Sequence, residues 1–166
     1  MTLEYILSKK FKGIVIDSNL LVLLLVGLFD YDQIEKNRRL NNFEKEDFNK
    51  LVLLIEAVSN KIVITPNILT EVSNLTENYN EETQSSFFKF LEIIIKSFEE
   101  HNTASTEVIS NNQRAFYKFG LADSSIVNLS KEEYLIITAD FPLYHFLSSQ
   151  NLNVINYNHL RFIYPS

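Results

Sequence analysis

Gly13-Ile14-Val15-Ile16-Asp17-Ser18-Asn19, running into the apolar stretch Leu20 to Phe29, decides the fold. Gly13 to Ile16 is short, apolar and β-branched, which is the composition of a strand buried on both faces. Asp17, Ser18 and Asn19 close it, and all three residue types are good helix N-caps. Leu20 to Phe29 then reads as a helix wholly inside the core. This run is ten residues long, whereas a membrane span needs about 20.

Working outward, the same alternation repeats. Asp30 to Asn42 is polar and reads as a loop or irregular excursion. Phe43 to Ser59 carries Phe48, Leu51, Val52, Ile55 and Val58 at helical spacing. Lys61 to Ile64 is a second short strand. Thr65-Pro66 after it is a strong helix start, and the helix places Ile68, Leu69, Val72 and Leu75 on one face. Thr76 to Ser86 is the longest polar stretch and reads as a loop, and Glu81 to Glu100 as a long amphipathic helix. Thr106 to Ile109 reads as a brief strand. Gln113 to Lys118 and Leu121 to Leu129 read as helices separated at Gly120. Glu133 to Thr138 is the clearest strand. Phe141 to Ser149 is a helix and Asn153 to Tyr157 a last strand. Short apolar strands alternating with helices predict one α/β domain over residues 1–166, with a mainly parallel central sheet covered on both faces.

Composition narrows the function. Cysteine is absent, which excludes disulfides, thiolate zinc sites and a cysteine nucleophile. Met1 to Lys12 lacks a signal-peptide layout, so the expectation is a soluble cytoplasmic protein with no membrane partner. The net charge of −6 gives no general basic footprint for nucleic acid, although clustered carboxylates can meet phosphate once a cation is present. No G-x-G-x-x-G follows the first strand and no G-x-x-x-x-G-K-[ST] occurs, which argues against dinucleotide binding and excludes a P-loop. A haloacid-dehalogenase type of phosphatase would need a second aspartate two residues after Asp17, and Asn19 stands there.

What remains is a set of acids. In open parallel sheets the ligand site lies beyond the carboxyl ends of the strands. Asp17 and Asp140 each follow a strand there. Glu71 lies about one turn into the helix begun at Pro66, and Asp123 near the helix start after Gly120. A helix start favours an ionised carboxylate, so Asp123 is expected to stay charged. Four such groups in one pocket repel each other, and the economical neutraliser is Mg²⁺ or Mn²⁺, which prefers oxygen ligands. On local grounds each has a plainer reading as well. Asp17 and Asp140 can be helix caps, Asp123 a first-turn charge and Glu71 a solvated helix residue. Ser18, Asn19 and Thr138 can be capping, packing or backbone-pinning groups. Arg114 and Lys118, one helical turn apart, are candidates for holding phosphate or members of a solvated face. Phe116, Tyr117 and Phe141 can stack on bases or fill core.

Four segments carry a family resemblance. Ile14-Val15-Ile16-Asp17-Ser18-Asn19-Leu20-Leu21 resembles the opening motif of PIN domains. Thr65-Pro66-Asn67-Ile68-Leu69-Thr70-Glu71-Val72 is similar to the second, Gly120-Leu121-Ala122-Asp123-Ser124-Ser125-Ile126 to the third, and Leu135-Ile136-Ile137-Thr138-Ala139-Asp140 to the fourth. They occur in the family's order and span Gly13 to Tyr157. The resemblance implies a three-layer α/β/α PIN-like fold and divalent-metal-dependent RNA cleavage, as in VapC-type toxins. It makes Asp17, Glu71, Asp123 and Asp140 the metal-binding catalytic acids, with Ser18 supporting the metal site and Thr138 positioning Asp140. It further implies an RNA substrate, an antitoxin protein partner and a homodimer, for which the exposed part of the Phe87 to Phe98 helix is the candidate surface. The competing expectation is a catalytically silent PIN-like scaffold that binds RNA or protein.

Overall fold

The computed structural model describes residues 6, 8–59, 61–74 and 79–161. The expected packing of Leu75 and the first residues of the 76–86 loop lie outside them. Strand β1 (Ile14–Ile16) leads into helix α1 (Ser18–Phe29). Two 3₁₀ turns at 31–33 and 38–40 occupy the expected irregular excursion, which Ile34 and Leu40 anchor in the core. Helix α2 (Lys45–Val58), β2 (Ile62–Ile64), α3 (Pro66–Ser73) and α4 (Glu81–Ile94) follow. Then come β3 (Glu99–Glu100), α5 (Ser105–Asn111), α6 (Gln113–Ser130), β4 (Leu135–Thr138), α7 (Phe141–Ser148), β5 (Val154–Asn156) and α8 (Tyr157–Arg161).

The five strands form one sheet in the order β3-β2-β1-β4-β5, and every pairing is parallel. Ile14, Val15 and Ile16 sit opposite Leu135, Ile136 and Ile137. Right-handed crossovers place the helices after β1 and β2 on one face and those flanking β4 on the other, giving three layers, α/β/α. Helix α1 is buried continuously from Leu20 to Gly27, as expected of a helix apolar all round. A Cβ on Gly27 would overlap the Phe48 ring, so glycine there lets α2 lie close against α1.

The C-terminal helix is tied to α2. Asp47 is 4% exposed, and the Arg161 guanidinium grips its carboxylate through Nε at 2.7 Å and Nη2 at 2.8 Å. The Asp47 side chain also accepts from the Glu44 amide at 2.8 Å, closing the start of α2. The Tyr157 hydroxyl donates to the Asp47 carbonyl. Burial and the neighbouring Asp47 carboxylate push the Tyr157 phenol far up.

Two expected elements are corrected. The helix expected over 81–100 stops at Ile94, and Glu99–Glu100 instead pairs with Val63 and Ile64 of β2. Glutamate's helix propensity is a few tenths of a kcal/mol at most, and open backbone groups on β2 outweigh it. Two charged residues also suit an edge strand, which must discourage further pairing. The strand expected over 106–109 is the helix α5. Its β-branched residues suggested a strand, but packing on α6 buries Val108 alone, and the Ser110 hydroxyl donates back to the Thr106 carbonyl. The break at Gly120 stands: α6 bends there, at φ 82° and ψ −170°, a conformation essentially confined to glycine.

Candidate active site

The chain leaves β1 toward β2 and leaves β4 toward β5, in opposite directions, although β1 and β4 are neighbours. The crevice beyond their carboxyl ends is the switch point at which open α/β sheets bind ligands. Asp17 follows β1 directly, and Asp140 lies two residues beyond the end of β4.

Asp17 is buried, and its carboxylate accepts three hydrogen bonds. Oδ1 takes the Leu20 amide at 2.8 Å, capping α1, and Oδ2 takes the Ala139 amide at 2.7 Å and the Thr138 hydroxyl. The same hydroxyl accepts the Asp140 amide at 2.9 Å. Thr138 therefore fixes both strand-end aspartates with one oxygen. Asp140 caps α7 by accepting the Leu143 amide at 2.7 Å. The capping readings of both residues are thus correct, and the strand-end placement holds beside them. Burial raises the Asp17 pKa above its ordinary value, against the lowering effect of its hydrogen bonds.

Asp123 stands in the first turn after the Gly120 break and is half-buried. Its pKa is pushed up to about 7, first by burial and then by the charges of Asp17, Asp140 and Glu71. The expectation that its helix start keeps it charged is corrected. A helix terminus contributes about 0.3–1 kcal/mol, less than burial and three like charges oppose. Glu71 lies on α3 with its side chain exposed, yet its charge reaches Asp123. Residues far apart in sequence thus share one electrostatic field at the switch point.

The supporting residues separate. The Ser18 hydroxyl is buried at the atom and has no hydrogen-bond partner. Asn19 is exposed. Arg114 and Lys118 are exposed on the first half of α6. Arg114 sits with Asn111, Lys131, Ser149 and Gln150, at the end of α7 remote from Asp140, and the Lys118 ammonium lies over the Phe119 ring. One rim residue escaped sequence reasoning. Asn156 ends β5 in register with Thr138, is 2% exposed, and its side-chain Nδ2 has no partner. The available signal was a polar residue closing an apolar strand, Val154-Ile155-Asn156, the layout that singled out Asp17.

Among the described residues, no three histidine, aspartate or glutamate side chains stand close enough to hold a metal ion directly. The donor chemistry nonetheless fits Mg²⁺ or Mn²⁺. Mg²⁺ is commonly held by one or two carboxylates and keeps several waters, and the unpartnered Ser18 hydroxyl suits a place in such a hydrated shell. The site fits an open, water-rich cation and not a closed cage. No family model matches the sequence, and no curated protein matches it.

Proposed function

We propose that this chain is a divalent-metal-dependent, PIN-like endoribonuclease that hydrolyses RNA phosphodiester bonds. The observation that carries the reading is the convergence on Asp123: its carboxyl feels Asp17, Asp140 and Glu71 together, and these are the four acids of the motif resemblance. Asp17 and Asp140 also cap helices, but capping does not call for four mutually repelling carboxylates at a ligand crevice, and a cation joining them relieves that repulsion.

In this reading Asp17 and Asp140 hold the cation, with Asp123 and Glu71 acting on it directly or through water. Mg²⁺ or Mn²⁺, when bound, supplies the positive charge that lets a phosphodiester enter the crevice and be polarised there. Thr138 keeps the two strand-end carboxylates in fixed relation, which is the positioning catalysis needs. Burial and like-charged neighbours raise the Asp123 pKa to about 7 in the cation-free chain, a value suited to a general base. In this reading it accepts a proton from the attacking water. The resemblance implies products with a 3′-hydroxyl and a 5′-phosphate. It also supplies the proposed cellular role, the toxin of a toxin–antitoxin pair whose antitoxin covers the crevice.

The test is cleavage of RNA by purified protein with Mg²⁺ or Mn²⁺ and with chelator, alongside Asp17→Asn and Asp140→Asn. Cleavage that needs the cation and both acids is expected. Equal cleavage by all three proteins overturns the mechanism. The silent scaffold is favoured by one observation, that no three of the acids stand within reach of a single ion. It is the surviving reading if the wild type binds RNA and cleaves none.

A further inference from the structure

Past Asp140 the rim carries rings in place of carboxylates. Helix α7 has two stripes. Leu143 and Leu147, four residues apart, are fully buried against the sheet. Phe141 and His145, also four apart, lie exposed, so neither serves the core. Phe141 stands 52% exposed in the residue after Asp140.

Its ring is nevertheless held. The His145 imidazole meets it at right angles, 4.3 Å between centroids, and the Tyr144 ring flanks both at 6.4 and 5.7 Å. Tyr144 in turn contacts the His159 ring of α8 at 5.5 Å. The start of α8 is pinned to the rim, because the Asn158 side chain donates to the Ala139 carbonyl at 2.8 Å and its amide to Asn156 Oδ1. Four rings from two helices therefore form a continuous run that begins beside Asp140. Edge-to-face contacts of this kind fix ring orientation, which holds the exposed Phe141 ring in place in water.

The chemistry of the run selects its occupant. Nucleobases stack on exposed aromatic rings whatever their sequence. The two imidazoles add N–H donors that bases and phosphates can accept. An aliphatic partner surface is a poorer match, because the exposed aliphatic side chains Leu28, Leu53 and Ile93 belong to α1, α2 and α4, the helices of the opposite layer. A strand whose scissile phosphate lies at Asp17 and Asp140 would carry its neighbouring base over α7. We propose that Phe141, flanked by Tyr144, His145 and His159, is a stacking platform for an unpaired nucleobase of single-stranded RNA next to the carboxylate crevice. The choice of RNA rests on the nuclease reading above.

The chain contains no tryptophan, so Phe141→Trp places a lone indole on the platform. Its fluorescence would be followed in Mg²⁺ during the first seconds of mixing with a short single-stranded RNA, the same sequence as a duplex, and an abasic strand. Saturable quenching by the single strand alone is expected. By anisotropy of a labelled strand, Phe141→Ala should bind about tenfold more weakly than the wild type, with Phe141→Trp close to wild type. Equal quenching by all three nucleic acids, or wild-type affinity in Phe141→Ala, overturns the platform and leaves the patch to a protein partner. The two readings fail separately. Quenching by the single strand without cleavage by the wild type keeps the platform and sinks the nuclease. Cleavage with an unchanged KM in Phe141→Ala does the reverse.

Discussion

Replacing Asp123 with asparagine should stabilise this protein at pH 8 and change little near pH 4. In the folded chain the Asp123 carboxyl titrates at about 7, against an ordinary value of 3.8. The folded state thus holds this proton more tightly than the unfolded state does. Between those two values it carries more protons than the unfolded chain, so stability falls as pH rises through the window. Above pH 7 the full penalty is in place. At about 1.4 kcal/mol per pH unit, the displacement sets a ceiling of about 4 kcal/mol. Asp123 is only half-buried, and screening by solvent brings the expected gain to about 2 kcal/mol. Asparagine keeps the shape and removes the charge. The assay is urea denaturation of both proteins from pH 4 to 9 with chelator present. The wild-type stability should decline across the window, and the gap to Asp123→Asn should open until about pH 8. Adding Mg²⁺ should then raise the wild type more than the variant, since a cation relieves the same repulsion. A variant no more stable than wild type at pH 8, or a gap that does not change with pH, would refute the reasoning.

Two further substitutions probe the frame around the site. Thr138→Val removes both the donor to Asp17 and the acceptor for the Asp140 amide. It should cost about 1–3 kcal/mol in denaturant unfolding and lower RNA cleavage at least about tenfold, with Thr138→Ser restoring most of both. Failure of the serine to rescue would mean that the methyl packing, not the hydroxyl, is what matters. Arg161→Ala strands the buried Asp47 carboxylate and should cost about 3 kcal/mol. A loss under about 1 kcal/mol would show that the C-terminal helix contributes little to holding α2.

The sheet was legible because its inner strands are written in one kind of residue. Ile14 to Ile16, Ile62 to Ile64 and Leu135 to Thr138 are short, mostly β-branched and bounded by helix starts, and local chemistry agrees with global placement in each. The edge was not legible. Glu99 and Glu100 are a strand only because β2 offers them backbone partners, which no local pattern encodes. Thr106 to Ile109 failed in the opposite sense, since β-branched residues were taken into a helix by packing on α6. At the site, Asp17 and Asp140 were readable from strand ends, and the break at Gly120 located Asp123. The charge state of Asp123 was not readable, because it depends on three carboxylates from three other segments. Asn156 escaped because an isolated asparagine after two apolar residues becomes a rim group only through its register with Thr138.

The plain structural reading of the acids explains some of them and fails at one. Asp17 and Asp140 each cap a helix, and a cap alone would account for their presence. Yet serine or asparagine would cap as well, without placing an ionisable carboxyl where burial disfavours its charge. Asp123 caps no helix, and standing in the first turn after the Gly120 break it draws only about 0.3–1 kcal/mol from that helix start. That gain is smaller than what its carboxylate loses by burial and by three like-charged neighbours. A residue that costs stability where a neutral one would not is the expected mark of a functional site. The strongest of the four acids as evidence for chemistry is therefore the one with the weakest structural reason to be there. Asp123→Asn separates the two accounts in one protein: a stabilised fold that no longer cleaves RNA is what function predicts, and a stabilised fold with unchanged cleavage would leave Asp123 outside the reaction.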